Sequence, residues 1–489
     1  MSTTAATPEF AATPEFASTL DRIADSRRRS AGLRSPHRTD LDYPPGPPMS
    51  QVWRQLLRGE VPSIGFFTGM TGYGRVAHVR MPRADMFFLN DPDLIWEVFV
   101  NQPTMKGFGL QAARPIVGDG ILTSEGDKHK AHRAMVQPAF TGRQIAGYGS
   151  DMQLAVADLN DRWQNRYDQG DTALSVTEEM SALTLDIVGR TLFGLDLAAV
   201  SDEIGPALSD ALEVFTLTVN PKWELLSRYP SGPRRRLTRA VDQMDTVVAT
   251  MIRDKRIAVA AGTPASDMMT ALVTARDPET GAELTDDEIR DEALTLVLAG
   301  HETTAMLLTW TWLLLFANPR WKAWVAPEWD SVPNPSVADI PGLPRTRAVL
   351  AETLRLRPPA WVLDRIALED LDLGSVVIPA GSVILASQYT MHRDPRFWSD
   401  AQEFRPDRWL TPDGSFTEKI APRGAWFPFG FAARKCIGDR FALAEATLAL
   451  AGLGRRWHIV PTAPGDIEPV PSVTLRPSTA VPARIRLRA

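Results

Sequence analysis

The stretch that most limits how this chain can fold runs from Thr285 to Asn318. Thr285, with Glu288 three residues on, has the form of a capping box, in which side chains and backbone amides satisfy one another at a helix start. Asn318-Pro319 supplies the stop, because the residue before a proline is pushed out of helical geometry. Between them lie about 32 residues, roughly 48 Å of helix at about 1.5 Å per residue. A helix of that length crosses a whole domain, so the remaining elements must be arranged around it. Its later part, Ala293–Ala317, is apolar enough to suggest a membrane span. It contains Glu302, however, and an ionised carboxylate is expensive inside a bilayer. The segment therefore reads as a buried helix of a soluble protein.

Hydrophobic residues at 44% and charged residues at 23% fit an ordinary globular protein, and a net charge of −6 gives no reason to expect nucleic-acid binding. One cysteine, Cys436, excludes an intramolecular disulfide and the cysteine-rich zinc and iron–sulfur sites, and favours a cytoplasmic location. The N-terminus carries a near-repeat, ATPEF at Ala6–Phe10 and Ala12–Phe16, then an arginine-rich stretch, Arg22–Arg38. It lacks the apolar segment of a secretion signal, and Glu9, Glu15, Asp21 and Asp25 do not suit a transit peptide. Residues 1–42 are expected to form a flexible tail without a transmembrane anchor, and Tyr43–Pro48 (YPPGPP) marks where an ordered body, 43–489, begins as a single domain.

Within that body, Arg75–Pro82 and Met86–Asp91 read as two short strands followed by a helix from Asp91. The pattern is mostly helical from about Glu125 to Phe316. Ser375–Ser387 reads as a hairpin of β-branched strands around Pro379-Ala380-Gly381, and the C-terminus alternates like strands again. The predicted class is mainly α with a small β portion.

Chemistry concentrates around Cys436. A lone cysteine is by default a small buried hydrophobe. Arg434, Lys435 and Arg440 argue otherwise, because positive charge favours the thiolate, the form that ligates metals. The Ala- and Leu-rich sequence after Gly438 predicts a helix, which places Cys436 beside a helix N-terminus that stabilises the same anion. Three other clusters stand out. Glu352 and Arg355 share one helix face, with Arg408 following in Phe404–Trp409. His301-Glu302 starts like a zinc-protease helix, but Ala305 stands where the second histidine is needed. His129 and Arg133 share a helix face, and His129 with His132 lacks a third metal ligand.

Taken together, Phe429-Gly430-Phe431-Ala432-Ala433-Arg434-Lys435-Cys436-Ile437-Gly438 resembles the haem-ligand loop of the haem-thiolate monooxygenases, the cytochrome P-450 family. Ala432 stands where a second glycine is usual. The other clusters match the family in the same order, and the resemblance covers about residues 43 to 487. It implies the cytochrome P-450 fold, with a long central helix over a buried haem b. Cys436 is then the axial ligand of the haem iron, with Phe429, Gly430 and Gly438 shaping the loop. Arg434, Arg365, Arg133 and His129 meet the haem propionates. Ala299 leaves room above the iron, while Thr303 and Glu302 are the catalytic pair that handles dioxygen and its protons. Glu352, Arg355 and Arg408 form a buried structural network. The implied reaction inserts one atom of O2 into an apolar organic substrate (lipid, terpenoid or polyketide) and reduces the other to water.

Only 53 residues follow Cys436 in a chain of 489, too few for a reductase domain, so a ferredoxin and its ferredoxin reductase are the expected electron donors. Lys128, Lys130, Lys435 and Arg440 are expected to form their docking patch. Thr104–Leu122, Ala360–Leu363 and the region Phe215–Trp223 are expected to line the substrate pocket. Two alternatives use the same haem differently: an isomerase or dehydratase, against which the Glu302-Thr303 pair argues, and a non-catalytic haem sensor.

Overall fold

The computed structural model describes residues 15–31, 35, 37–58, 63–81, 84–194, 231–263, 265–463, 465 and 467–488. It divides into two compact units. One comprises Met1–Ser30, Leu110–Asp151 and Leu185–His301; the other comprises Ala31–Gly109, Met152–Thr184 and Glu302–Ala489. The long helix runs over Asp286–Ala317 and passes from the first unit to the second. Its capping box forms as expected: the Thr285 amide donates to Glu288 Oε2 (3.1 Å) and the Glu288 amide to Thr285 Oγ1 (3.3 Å). No helix among the described residues is long and apolar enough to cross a membrane.

The first unit is helical. Its Gly232–Ala260 helix starts at Ser231, whose side chain accepts from the Arg234 amide, and buries Leu237, Val241, Met244, Val248 and Ile252 along one stripe. On its polar side Asp245 joins two arginines. Oδ1 lies 2.7 Å from the fully buried Arg290, and Oδ2 lies 2.7 Å from Arg22. Arg22 belongs to a helix, Thr19–Ala31, in which Thr19 also donates to Asp242 (2.7 Å). The segment expected as a flexible tail therefore contains an ordered helix. Composition alone suggested solvation, but the aspartates on the Gly232–Ala260 helix give its polar groups partners, and Ile23 is buried.

The second unit holds a five-stranded sheet in the order Val76–Val79, Met86–Leu89, Val383–Ala386, Leu363–Ala367, Thr104–Lys106. The two short strands expected from the sequence form, and they pair antiparallel with Ala77 opposite Phe88. The Ser375–Ser387 hairpin does not form. Val377–Ile378 pairs with Leu371–Asp372, whereas Val383–Ala386 leaves to lie between Met86–Leu89 and Leu363–Ala367. All four residues of Val383–Ala386 are buried, and such a strand needs neighbours on both edges.

Helix Pro344–Leu356 carries the network around Glu352, which is itself fully buried. Its Oε1 accepts from Arg355 Nη2 (2.8 Å), the Arg405 amide (2.8 Å) and Arg408 Nε (3.2 Å); Oε2 accepts from Arg355 Nε (2.9 Å) and Trp409 Nε1 (2.8 Å). With every lone pair engaged, removing the carboxylate strands a buried guanidinium. Glu352→Ala should cost about 3–5 kcal/mol of stability, read as a lower midpoint in chemical unfolding; an unchanged midpoint would make the network dispensable.

Candidate functional site

The loop that presents Cys436 is built from short backbone bonds. The Gly430 amide donates to Phe427 O (3.1 Å), the Arg434 amide to Phe431 O (3.1 Å), and the Cys436 amide to Phe429 O (2.8 Å). Such a path needs left-handed residues: Gly430 sits at φ 72° and Ala432 at φ 46°. The alanine thus adopts the turn conformation that glycine takes without strain. Gly438, at φ −92°, needs no such freedom and caps the helix Asp439–Arg456. Cys436 lies two residues ahead of that cap and is exposed. This rejects the reading of an inert core thiol and leaves a sulfur offered outward beside the positive end of an 18-residue helix. Arg434 and Phe429 are half-buried in the same loop.

The loop is fixed from behind. The Phe427 amide donates to His392 Nε2 (3.0 Å), and the Phe427 and Phe431 rings stack at 5.0 Å. Burial lowers the His392 pKa to about 3, so the imidazole stays neutral and keeps this acceptor at physiological pH.

Along Asp286–Ala317 the neighbours Leu298, His301, Glu302, Thr304 and Ala305 are buried, whereas Ala299 is exposed and Gly300 and Thr303 are half-buried. Ala299 and Thr303 are one helical turn apart, so they form an accessible strip on an otherwise packed helix. Glu302 points elsewhere within the second unit. Its Oε1 accepts from Thr474 Oγ1 (2.8 Å) and lies 2.7 Å from Arg476 Nε. Burial raises its pKa, and the charge of Arg476 only partly offsets that.

Arg365, on Leu363–Ala367, is buried, stacks its guanidinium over Phe99 (5.0 Å) and donates to Asp364 O (2.9 Å). In the first unit, helix Gly126–Val136 places a buried His129 and a half-buried Arg133 on one face. His132 is no partner of His129 in a metal site: it sits 2.6 Å from Glu292 and 3.3 Å from Glu288, on the long helix.

Other expectations shift. Lys128 lies 3.5 Å from Glu288, Lys130 is 2.9 Å from Glu279, and Lys435 is 2.5 Å from Asp439. Three of the four expected docking cations are therefore paired with an acid. Trp361, expected at the pocket, is instead buried against Phe67, with its indole N–H bonded to Ser472 O (2.9 Å). Phe215–Trp223 lies outside the described residues.

One group was missed in the sequence: Glu445, fully buried on Asp439–Arg456. Burial pushes its carboxyl well above the usual range, and the facing hydroxyl of Thr304 only partly offsets this. The signal was a single acid within the apolar run Phe441–Leu450. The donors of the second unit fit an iron porphyrin: one exposed soft donor on a hydrogen-bonded loop, Arg365 and Arg434 for carboxylates, and the Thr303 hydroxyl.

Two predictions come from this geometry. Ala432→Gly relieves about 1–2 kcal/mol of left-handed strain but restores unfolded-chain entropy of about 0.4–1 kcal/mol. It should raise the unfolding midpoint slightly, while Ala432→Val should lower it; a drop with glycine would contradict the strained turn. Glu445→Gln tests the neutral carboxyl. Above pH 4.5 the unfolded chain releases a proton that the folded protein retains, so parent stability declines with rising pH. The glutamine variant should gain on the parent as pH rises from 5 to 8 in a series of thermal melts; a constant difference would mean that Glu445 is ionised.

A family model described as Cytochrome P450 matches residues 44–481. Cyclooctatin synthase of Streptomyces melanosporofaciens is 36% identical over 458 residues, covering 90% of this chain and 96% of that protein. Cyclooctat-9-en-7-ol 5-monooxygenase of the same organism is 33% identical, covering 87% and 88%. Pentalenene oxygenase of Streptomyces avermitilis is 31% identical, covering 90% and 95%.

Proposed function

This chain belongs to the cytochrome P450 family and is a haem b monooxygenase, and from that premise we propose that it oxidises an apolar terpenoid. The single observation that carries the site assignment is the outward Cys436 on its rigid loop. Cys436 would hold the haem iron as thiolate, with Arg434, Arg365, Arg133 and His129 pairing its propionates and Phe429 packing near the sulfur. Bound haem supplies the activation of O2 by which one oxygen atom enters the substrate and the other leaves as water.

The chain's own part is to bind, orient and protonate. Thr303, accessible on the long helix, is suited to hold a proton at its hydroxyl. Glu302, with its raised pKa, can store one nearby. Arg476 is 42% exposed, so the pair that anchors Glu302 reaches solvent, a source of the two protons consumed per turnover. An acid and an alcohol in this order support monooxygenation over isomerisation or mere haem carriage.

The terpenoid class rests on two supports. The relatives act, by their names, on cyclooctat-9-en-7-ol and on pentalenene, both of low polarity. The accessible strip offers a small-residue face suited to such molecules. For electrons we favour a ferredoxin and its reductase.

The test is incubation of the reconstituted system with cyclic terpene hydrocarbons and alcohols. Products heavier by one oxygen are expected with some of them, and consumption of reductant without oxygenated product across the panel would overturn the reading. Thr303→Ala should keep haem loading but lower product per electron by roughly tenfold or more, with hydrogen peroxide rising in step; unchanged coupling would remove Thr303 from proton handling.

A further inference from the structure

Away from the cysteine loop, the second unit gathers two imidazoles and a carboxylate. His37 Nδ1 lies 3.1 Å from Asp85 Oδ2, and His78 Nε2 lies 3.0 Å from Asp85 Oδ1. Among the described residues this is the one set of three such side chains whose ligand atoms all fall within 4.8 Å of one another.

The three come from separate places. His78 is on Val76–Val79, and Asp85 immediately precedes the partner strand Met86–Leu89, so the antiparallel pair fixes both. His37 arrives from the segment before Tyr43. The residues just after Tyr43 are pressed onto the strand: the His78 amide donates to Pro45 O (3.1 Å), and any Cβ at Gly46 would lie 1.7 Å from His78 O. The Tyr43 ring lies 4.4 Å from each imidazole, stacked on His37 and tilted against His78.

A hydrogen-bonded His–Asp–His clasp accounts for only half of this. His37 and Asp85 are hydrogen-bonded, but His78 Nε2 and Asp85 Oδ1 are buried, close, and not aligned for a hydrogen bond with each other or with any other group. Asp85 is 1% exposed, and its ion-pair partners are these two imidazoles, which carry no charge unless protonated. A buried carboxylate without a cation is costly. Tetrahedral zinc, with ligand bonds of about 2.0–2.1 Å, sets neighbouring ligand atoms about 3.3 Å apart; each imidazole lies a few tenths from that spacing to one oxygen of Asp85, and all three ligand atoms fall within 4.8 Å. Two imidazoles with one carboxylate also suit zinc in softness and give a site of net charge +1.

We propose that His37, His78 and Asp85 bind one zinc ion, with water as fourth ligand, and that the ion fastens the segment before Tyr43 to the edge of the sheet. This site is independent of the haem and of the oxygenation reading.

The test uses untagged, haem-loaded full-length protein, stripped with EDTA, equilibrated with zinc chloride, desalted and measured for metal by mass spectrometry. About one zinc per chain should remain, zinc should raise the melting temperature, and cobalt(II) should give the visible bands of a tetrahedral site. His37→Gln lies outside any helix or strand. It should keep the parent's haem content and metal-free melting temperature while losing the zinc, as should Asp85→Asn; His458→Gln should retain it. Parent protein that holds no zinc, or His37→Gln that holds as much as the parent, would overturn the site and leave a proton-bridged clasp.

Discussion

The buried carboxylate of Glu352 organises the second unit. An ionised group with no exposure is tolerated only when its lone pairs are all used, and Glu352 receives five donors from Arg355, Arg405, Arg408 and Trp409. The consequence reaches the cysteine loop. Arg355 Nη1, held by the same carboxylate, donates to His392 O (2.9 Å), and the His392 ring accepts the Phe427 amide at the start of the cysteine loop. A continuous set of buried hydrogen bonds thus links a structural ion pair to the backbone that aims Cys436. The loop tolerates a strained alanine at position 432 because its ends are fixed by this set and by the helix Asp439–Arg456.

Three buried carboxyls in this unit solve the same desolvation problem in different ways. Glu352 is neutralised by cations. Glu445, facing only a threonine hydroxyl, solves it by keeping its proton. Glu302 lies between: burial raises its pKa, and Arg476, partly in solvent, pulls it back. This last arrangement holds the Glu302 carboxyl above its ordinary range while keeping a cation and a hydroxyl beside it.

Much of this was legible in local signals. The capping box at Thr285 with Glu288, the proline stop after Asn318 and the helix start after Gly438 each act over a few residues, and each appears in the structure where the sequence puts it. What was hidden depends on distant partners. The strand Val383–Ala386 left its expected hairpin because, once buried, its backbone N–H and C=O groups need strands on both edges to pair them. The helix Thr19–Ala31 is ordered by aspartates more than 200 positions away in the sequence, at Asp242 and Asp245. Trp361 turned into the core because Ser472 offered its indole an acceptor. The paired state of Lys128, Lys130 and Lys435 followed from acids that no local pattern marks as neighbours.

The central claim is that Cys436, presented by this loop, is the thiolate that holds the haem. The most direct measurement is the absorption spectrum of dithionite-reduced protein under carbon monoxide, parent against Cys436→Ser. The account predicts the strongly red-shifted Soret band of thiolate ligation in the parent and its loss in the variant, with bound haem still measurable. A variant that keeps the red-shifted band would place the ligand elsewhere and contradict the account.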